Sequence, residues 1–154
     1  MKHSKAGQFM FDITEKSARF LGKHLLLKHL LCWTWGIALT MPGSIATLLI
    51  GLFNKNLNVF HDSLYTEVGK DWGGLELGDS FVCCKDSADS LKEHELGHTF
   101  QNAIYGPFFL LMIWIPSALR YWHRRLHHST KPYNAIWFEN SATNIGKEIC
   151  NGQD

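Results

Sequence analysis

Cysteine is scarce in this chain and poorly placed for structural work. Of the four cysteines, Cys83 and Cys84 are adjacent, Cys32 lies in an apolar stretch and Cys150 stands near the C-terminus. No C-x-x-C pair occurs, so neither a disulfide framework nor a cysteine-based zinc site is expected, and the thiols read as mostly reduced. Charge is also sparse. Charged residues make up 19% of the chain and the formal net charge is +1, which removes any overall bias toward nucleic acid or membrane. A clean signal peptide is not evident: the stretch before the first apolar segment is long, and no small-x-small cleavage pattern follows it.

Apolar residues are plentiful but clustered. The 154 residues suit one domain, with 45% hydrophobic and 13% aromatic side chains. Residues 1–29 hold six Lys/Arg and two acids, whereas residues 54–102 hold four Lys/Arg and nine acids. The pattern divides the chain into a basic amphipathic segment (1–29), an uncharged run (30–53) and a region (54–154) that carries the chemistry. The first segment fits a helix lying on a membrane surface and, equally, a helix packed on the domain.

Residues 30–53 contain no charge over 24 residues, enough to cross a bilayer at helical rise. Trp33 and Trp35 near one end suit an interface. Pro42-Gly43 predicts a kink there, or a re-entrant hairpin. A second uncharged run, 103–119, is 17 residues long and punctuated by Pro107 and Pro116; spanning, re-entrant and buried readings all fit it. The basic stretch 120–131 is read as a flank meeting lipid headgroups rather than as a nucleic-acid site. Between the runs, 64–68, 75–77 and 81–84 read as short strands of a hairpin or meander, separated by Gly73-Gly74 and Gly78-Asp79. The expected fold class is therefore mainly α with a small β element, built around a membrane-associated helix pair.

The chemistry concentrates in residues 90–104. His94, Glu95 and His98 spell H-E-x-x-H. Residues four apart share one helix face, so both imidazoles can present a nitrogen to one Zn²⁺. Glu95 is rotated about 100° from His94, beside the metal, where a general base belongs. Ser90 and Glu93 suggest a capping box at the start of this helix. A later helix, within 133–148, places Glu139, Ala142 and Gly146 on one face. Small residues there, with Gly97 opposite, permit the close approach that a shared metal needs, so Glu139 is the third-ligand candidate. Gln101 is a candidate outer-shell group. His123, His127, His128 and Tyr133 are chemically suited to stabilise an oxyanion.

His-Glu-Leu-Gly-His followed by a helix bearing Glu-x-x-Ala resembles the gluzincin class of zinc metallopeptidases, whose integral-membrane examples include the HtpX-like and CAAX-prenyl-protease families. The chain is also similar to small, uncharacterised bacterial membrane proteins. The shared pattern is Thr-Trp-Gly, Asp-Trp-Gly-Gly, His-Glu-Leu-Gly-His-Thr-Phe-Gln-Asn, Gly-Pro-Phe, Ile-Pro-Ser, Arg-Tyr-Trp and Ile-Trp-Phe-Glu-Asn-Ser-Ala-Thr, covering residues 33 to about 147. The gluzincin resemblance implies zinc on His94, His98 and Glu139, Glu95 as base, and a peptide or protein substrate. The similarity to membrane proteins implies a bacterial inner or plasma membrane location, with lipid as a neighbour. One departure is Thr143, where the larger membrane peptidases often carry Asp. The competing expectation is a small membrane protein whose zinc staples two helices and has a fourth protein ligand.

Topology constrains these expectations. Basic flanks place both ends on one side of the membrane. Two full spans would then separate His94 from Glu139, so a shared metal requires the second run to re-enter or to be buried.

Overall fold

A computed structural model describes residues 4–127 and 136–152. The chain is mainly helical with one small mixed sheet. Helix α1 (Lys5–Gly22) begins where the Ser4 hydroxyl accepts the Gly7 N–H at 3.1 Å. It packs on the last helix through Ala18 and Leu21, both buried. Of the two readings of the N-terminal segment, packing on the domain is therefore the one its buried face supports.

The first uncharged run divides into α2 (Leu25–Trp33) and α3 (Ile37–Phe53), bent by 98°. The break falls at Thr34–Gly36, not at the expected Pro42-Gly43. There the Thr34 hydroxyl returns to the Leu30 carbonyl at 2.6 Å and the Gly36 N–H reaches back to Leu31 O at 2.8 Å, which closes the helix. Pro42 sits within the early turns of α3. Gly43 has a packing role: a methyl on it would collide with the carbonyl of Leu77. Among the described residues, no single helix is long and apolar enough to cross a membrane; α2 and α3 together pass that test only as a bent pair.

Four strands follow: β1 (Leu57–Phe60), β2 (Ser63–Glu67), β3 (Gly74–Glu76) and β4 (Ser80–Cys83). Their order is β1-β2-β4-β3, with β2 and β4 parallel. The expected hairpin or meander is therefore corrected on two counts. An additional strand, β1, pairs with β2, and the segment after β2 crosses over so that β4 lies between β2 and β3. Periodicity could not reveal β1, because Leu57-Asn58-Val59-Phe60 is too short to show alternation.

A buried charge network ties α2 to the turns of this sheet. The Lys28 ammonium, 0% exposed, lies 2.6 Å from Asp79, 3.0 Å from Asp62 and 3.1 Å from the Ser63 hydroxyl. His29 and Trp33, on the same helix, contact Asp79 at 2.7 and 3.2 Å.

Helix α4 (Asp89–Tyr105) runs through the middle of the molecule, with Leu96, Phe100 and Ala103 in the main core. The capping box does not form. The helix starts two residues earlier, with Ala88 in place of Ser90 at the cap and no side-chain cap bond, and Asp89 in the first turn complements the helix dipole. Gly106 ends α4 at φ +54°, a conformation that favours glycine, and Pro107 follows.

The second apolar run then forms α5 (Pro107–Phe109), a π-helical turn (Leu110–Trp114) and the start of α6 (Ile115–His127). Phe109 and Ile113 are buried in a cluster with Phe138. The chain thus travels out and returns, and α7 (Trp137–Asn151) packs along α4.

Candidate metal centre

Two helices create the site, and glycine sets their spacing. A methyl on Gly97 would collide with the Ala142 carbonyl, and one on Gly146 with the Glu93 carbonyl. The bare backbone on each helix lets α4 and α7 approach until Glu139 meets the histidines. The Glu139 carboxylate lies 3.1 Å from His94 Nε2 and 3.5 Å from His98 Nε2, and the two Nε2 atoms are 3.2 Å apart. These three residues form a group that could hold a metal ion, with donor atoms all within 4.8 Å of one another.

The far side of each ring is secured. His94 Nδ1 faces the Thr143 hydroxyl at 2.9 Å, and that hydroxyl donates to Glu139 O at 3.0 Å. Its proton thus committed, Thr143 can only accept from His94. His98 Nδ1 meets Gln101 Oε1 at 2.8 Å, and Gln101 Nε2 donates to Phe138 O at 2.8 Å. With Gln101 Oε1 and Thr143 Oγ1 both acting as acceptors, each neutral imidazole carries its proton on Nδ1. Its Nε2 lone pair is then turned toward the other ring and toward Glu139. Both oxygens of Glu139 are buried and, apart from the two imidazoles, meet no hydrogen-bond donor. A buried carboxylate facing two bare imidazole nitrogens is a concentration of lone pairs that a cation would satisfy. On this test the residues fit a metal.

Where no cation is bound, protons on the two rings take its part against the carboxylate. Burial pushes the Glu139 carboxyl up, but the two imidazoles outweigh it and hold it well below the usual carboxylate range. Burial alone would lower His98, yet Glu139, Glu95 and Gln101 together keep it above its ordinary value.

Glu95 is 5% exposed and stands beside the group rather than in it. Burial raises its carboxyl above the ordinary value, with Glu139 adding to that and the histidines opposing it. Strand β3 passes directly against it. A methyl on Gly74 would stand 2.5 Å from Glu95 Oε1, and the Glu76 backbone N–H lies against the Glu95 carboxylate.

The group opens into a cavity of about 180 Å³, bounded by Leu75 on one side and by Ile113, Trp114, Tyr121 and Trp122 on the other. The Trp114 indole donates to Glu76 O at 3.1 Å and the Tyr121 hydroxyl to Trp72 O at 2.6 Å, so the α5–α6 arm is fastened over the strand.

Among the residues singled out from sequence, His94, His98, Glu139, Glu95 and Gln101 come together. His123 and His127 do not: they lie on α6 with rings 4.5 Å apart and do not line the cavity. His128 and Tyr133 fall outside the described residues. Sequence reading missed two contributors. Thr143 stands one turn after Glu139, a spacing that places it beneath the same ligand face. Trp114 carries no local signal, because only the fold brings it to β3. Comparisons with protein-family models, curated proteins and solved structures give no match to this chain.

Proposed function

We propose that this protein is a membrane-bound zinc metallopeptidase. His94, His98 and Glu139 hold the metal, and Glu95 serves as general base. The observation that carries this reading is the convergence of His94 Nε2 and His98 Nε2 on the buried carboxylate of Glu139. Three protein ligands leave a coordination position open, as in catalytic rather than closed structural zinc sites. Zinc bound here would supply a Lewis acid for the scissile carbonyl and lower the pKa of a coordinated water.

The chain's own residues supply the remaining parts. Glu95, buried beside the metal group, takes the proton of the attacking water and delivers it to the leaving amine. Gln101 and Thr143 keep the imidazoles in the ligating tautomer. In β3, Gly73 O and Leu77 N bond to β4, so the N–H and C=O groups of Gly74 and Glu76 point away from the sheet. That outer edge runs past Glu95 and provides a rail on which an extended peptide can pair. The apolar wall formed by Leu75, Ile113 and Trp114 favours a hydrophobic side chain beside the scissile bond.

Metal analysis tests the reading. The protein is purified without chelators as wild type, His98→Ala and Glu139→Ala. Wild type is expected to hold about one zinc per chain, and both variants to lose it. Full zinc retention by Glu139→Ala would overturn the ligand set. A metal-free wild type that takes up no zinc on titration would overturn the function.

A further inference from the structure

Two segments of this molecule turn an apolar stripe outward. On α3, the residues turned toward the rest of the protein are Thr40, Gly43, Thr47 and Gly51, all buried. Thr47 shares a hydrogen bond with the Ser80 hydroxyl at 3.0 Å, and Thr40 accepts from Asn102 at 2.9 Å. The opposite face carries Met41, Ile45, Leu48 and Leu52, each more than 40% exposed. A surface helix of a water-soluble domain turns its apolar stripe inward and its polar face outward; α3 does the reverse.

The α5–α6 arm also turns an apolar stripe outward, although its inner face is apolar too. Phe108, Leu111, Ile115, Leu119, Trp122 and Leu126 recur at intervals of three and four and are all exposed. Phe109, Ile113, Ser117 and Tyr121, on another face of the arm, line the cavity of the metal centre. The two exposed stripes join where the Trp35 ring meets Phe108, with centroids 6.1 Å apart. Together the two stripes present ten large apolar side chains that are each 37–71% exposed, a grouping that marks an interaction surface. Charge complements the patch at its end: α6 closes with Arg124, Arg125 and His127, beside the exposed indole of Trp122. Tryptophan with flanking arginine is the composition of a headgroup boundary.

We propose that α3 and the α5–α6 arm form one continuous surface immersed in bilayer hydrocarbon, and that the metal cleft opens at its border. Trp122 belongs both to the exposed stripe and to the cavity wall, which places the mouth of the cleft at the edge of the lipid-facing area. Leu75, exposed on the facing wall, marks the other lip. Substrates then reach the cleft from the membrane plane, as polypeptide segments lying in or on the lipid. The immersed surface stands independently of the metal; only the route for substrate rests on the peptidase reading.

Spin labelling tests this on the full chain. Single cysteines are placed at Ile45, Leu48, Leu119 and Leu126, all exposed positions, with Lys85 and Lys147 as controls and Cys84 and Cys150 replaced by serine. Accessibility to molecular oxygen and to a water-soluble nickel chelate is measured in vesicles of phosphatidylcholine and phosphatidylglycerol. The four apolar sites are expected to invert the control ratio, becoming oxygen-accessible and chelate-protected, with a Leu75 label at headgroup depth. Chelate access at the four sites equal to that at Lys85 would overturn the proposal. So would dipolar broadening between labels that scales with protein density, which would assign the surface to a second copy. The same pattern in a wild-type protein that takes up no zinc would leave the immersed surface standing and strike only the peptidase assignment.

Discussion

Gln101 fixes His98 by bridging it to the neighbouring helix: its carbonyl oxygen meets His98 Nδ1, and its amide donates to Phe138 O, both at 2.8 Å. Removing the bridge releases the ring and its tautomer without removing a ligand. Gln101→Ala and Thr143→Ala are each expected to weaken zinc binding by about 10–100-fold. Competition against a chromogenic chelator measures this directly, and unchanged affinity in both variants would show that the outer contacts are incidental.

Glu95 touches no other member of the metal group as a ligand, so its loss should separate chemistry from binding. Glu95→Gln is expected to keep full zinc while lowering peptide hydrolysis by at least about 10²-fold. Zinc content and turnover measured on one preparation decide the matter; loss of both together would make Glu95 a structural residue.

Gly97 has no room for a side chain against the Ala142 carbonyl. Gly97→Ala must push α4 from α7, at a cost of about 1–3 kcal/mol by analogy with overpacked cores. Because the same contact sets the distance from Glu139 to His94, zinc affinity should fall along with stability. Denaturant titration and metal competition on the variant check the pairing; a destabilised variant with wild-type affinity would uncouple them.

The Lys28 network predicts a pH window. Burial would lower the Lys28 ammonium, but Asp79 and Asp62 hold it above its ordinary value. Burial would raise Asp79, but His29 and Lys28 hold it below the usual range. A raised folded value for Lys28 means stability that is complete below its unfolded pKa of about 10.4 and lost as pH climbs through the folded value. A lowered one for Asp79 means stability present above about pH 3.9 and lost as pH falls through the folded value. The network therefore contributes fully from about pH 4 to pH 10. Asp79→Asn, which leaves Lys28 buried with less charge compensation, is expected to cost about 3–5 kcal/mol inside that window. Urea midpoints at several pH values read the effect, and a loss under about 1 kcal/mol would mean that water reaches the ammonium.

Much of the centre was legible in the sequence because helix geometry is local. H-E-x-x-H places two imidazoles on one face wherever a helix forms, and Glu139 with Ala142 and Gly146 announces a close neighbour by the smallness of its face. The helix start was readable only to within two residues: the side chains pointed to a cap at Ser90, whereas the backbone turns at Ala88. What sequence could not supply were relationships between distant segments. The parallel pairing of β2 with β4, the bend at Thr34–Gly36 and the seating of Trp114 on Glu76 depend on which surfaces meet. Polarity reversal on α3 was half visible: the run of uncharged residues was plain, but only packing shows that Thr40 and Thr47 turn inward while Ile45 and Leu48 do not.

The outer edge of β3 is already occupied. Its Glu76 carbonyl holds the Trp114 indole, and its Glu76 N–H lies against the Glu95 carboxylate. A guest strand cannot simply add to this edge; it must exchange partners, displacing an indole and disengaging the base from its backbone contact. On the proposed peptidase reading, docking a strand and freeing Glu95 from β3 become a single event, so the molecule at rest is a latched tool that its own workpiece unlocks.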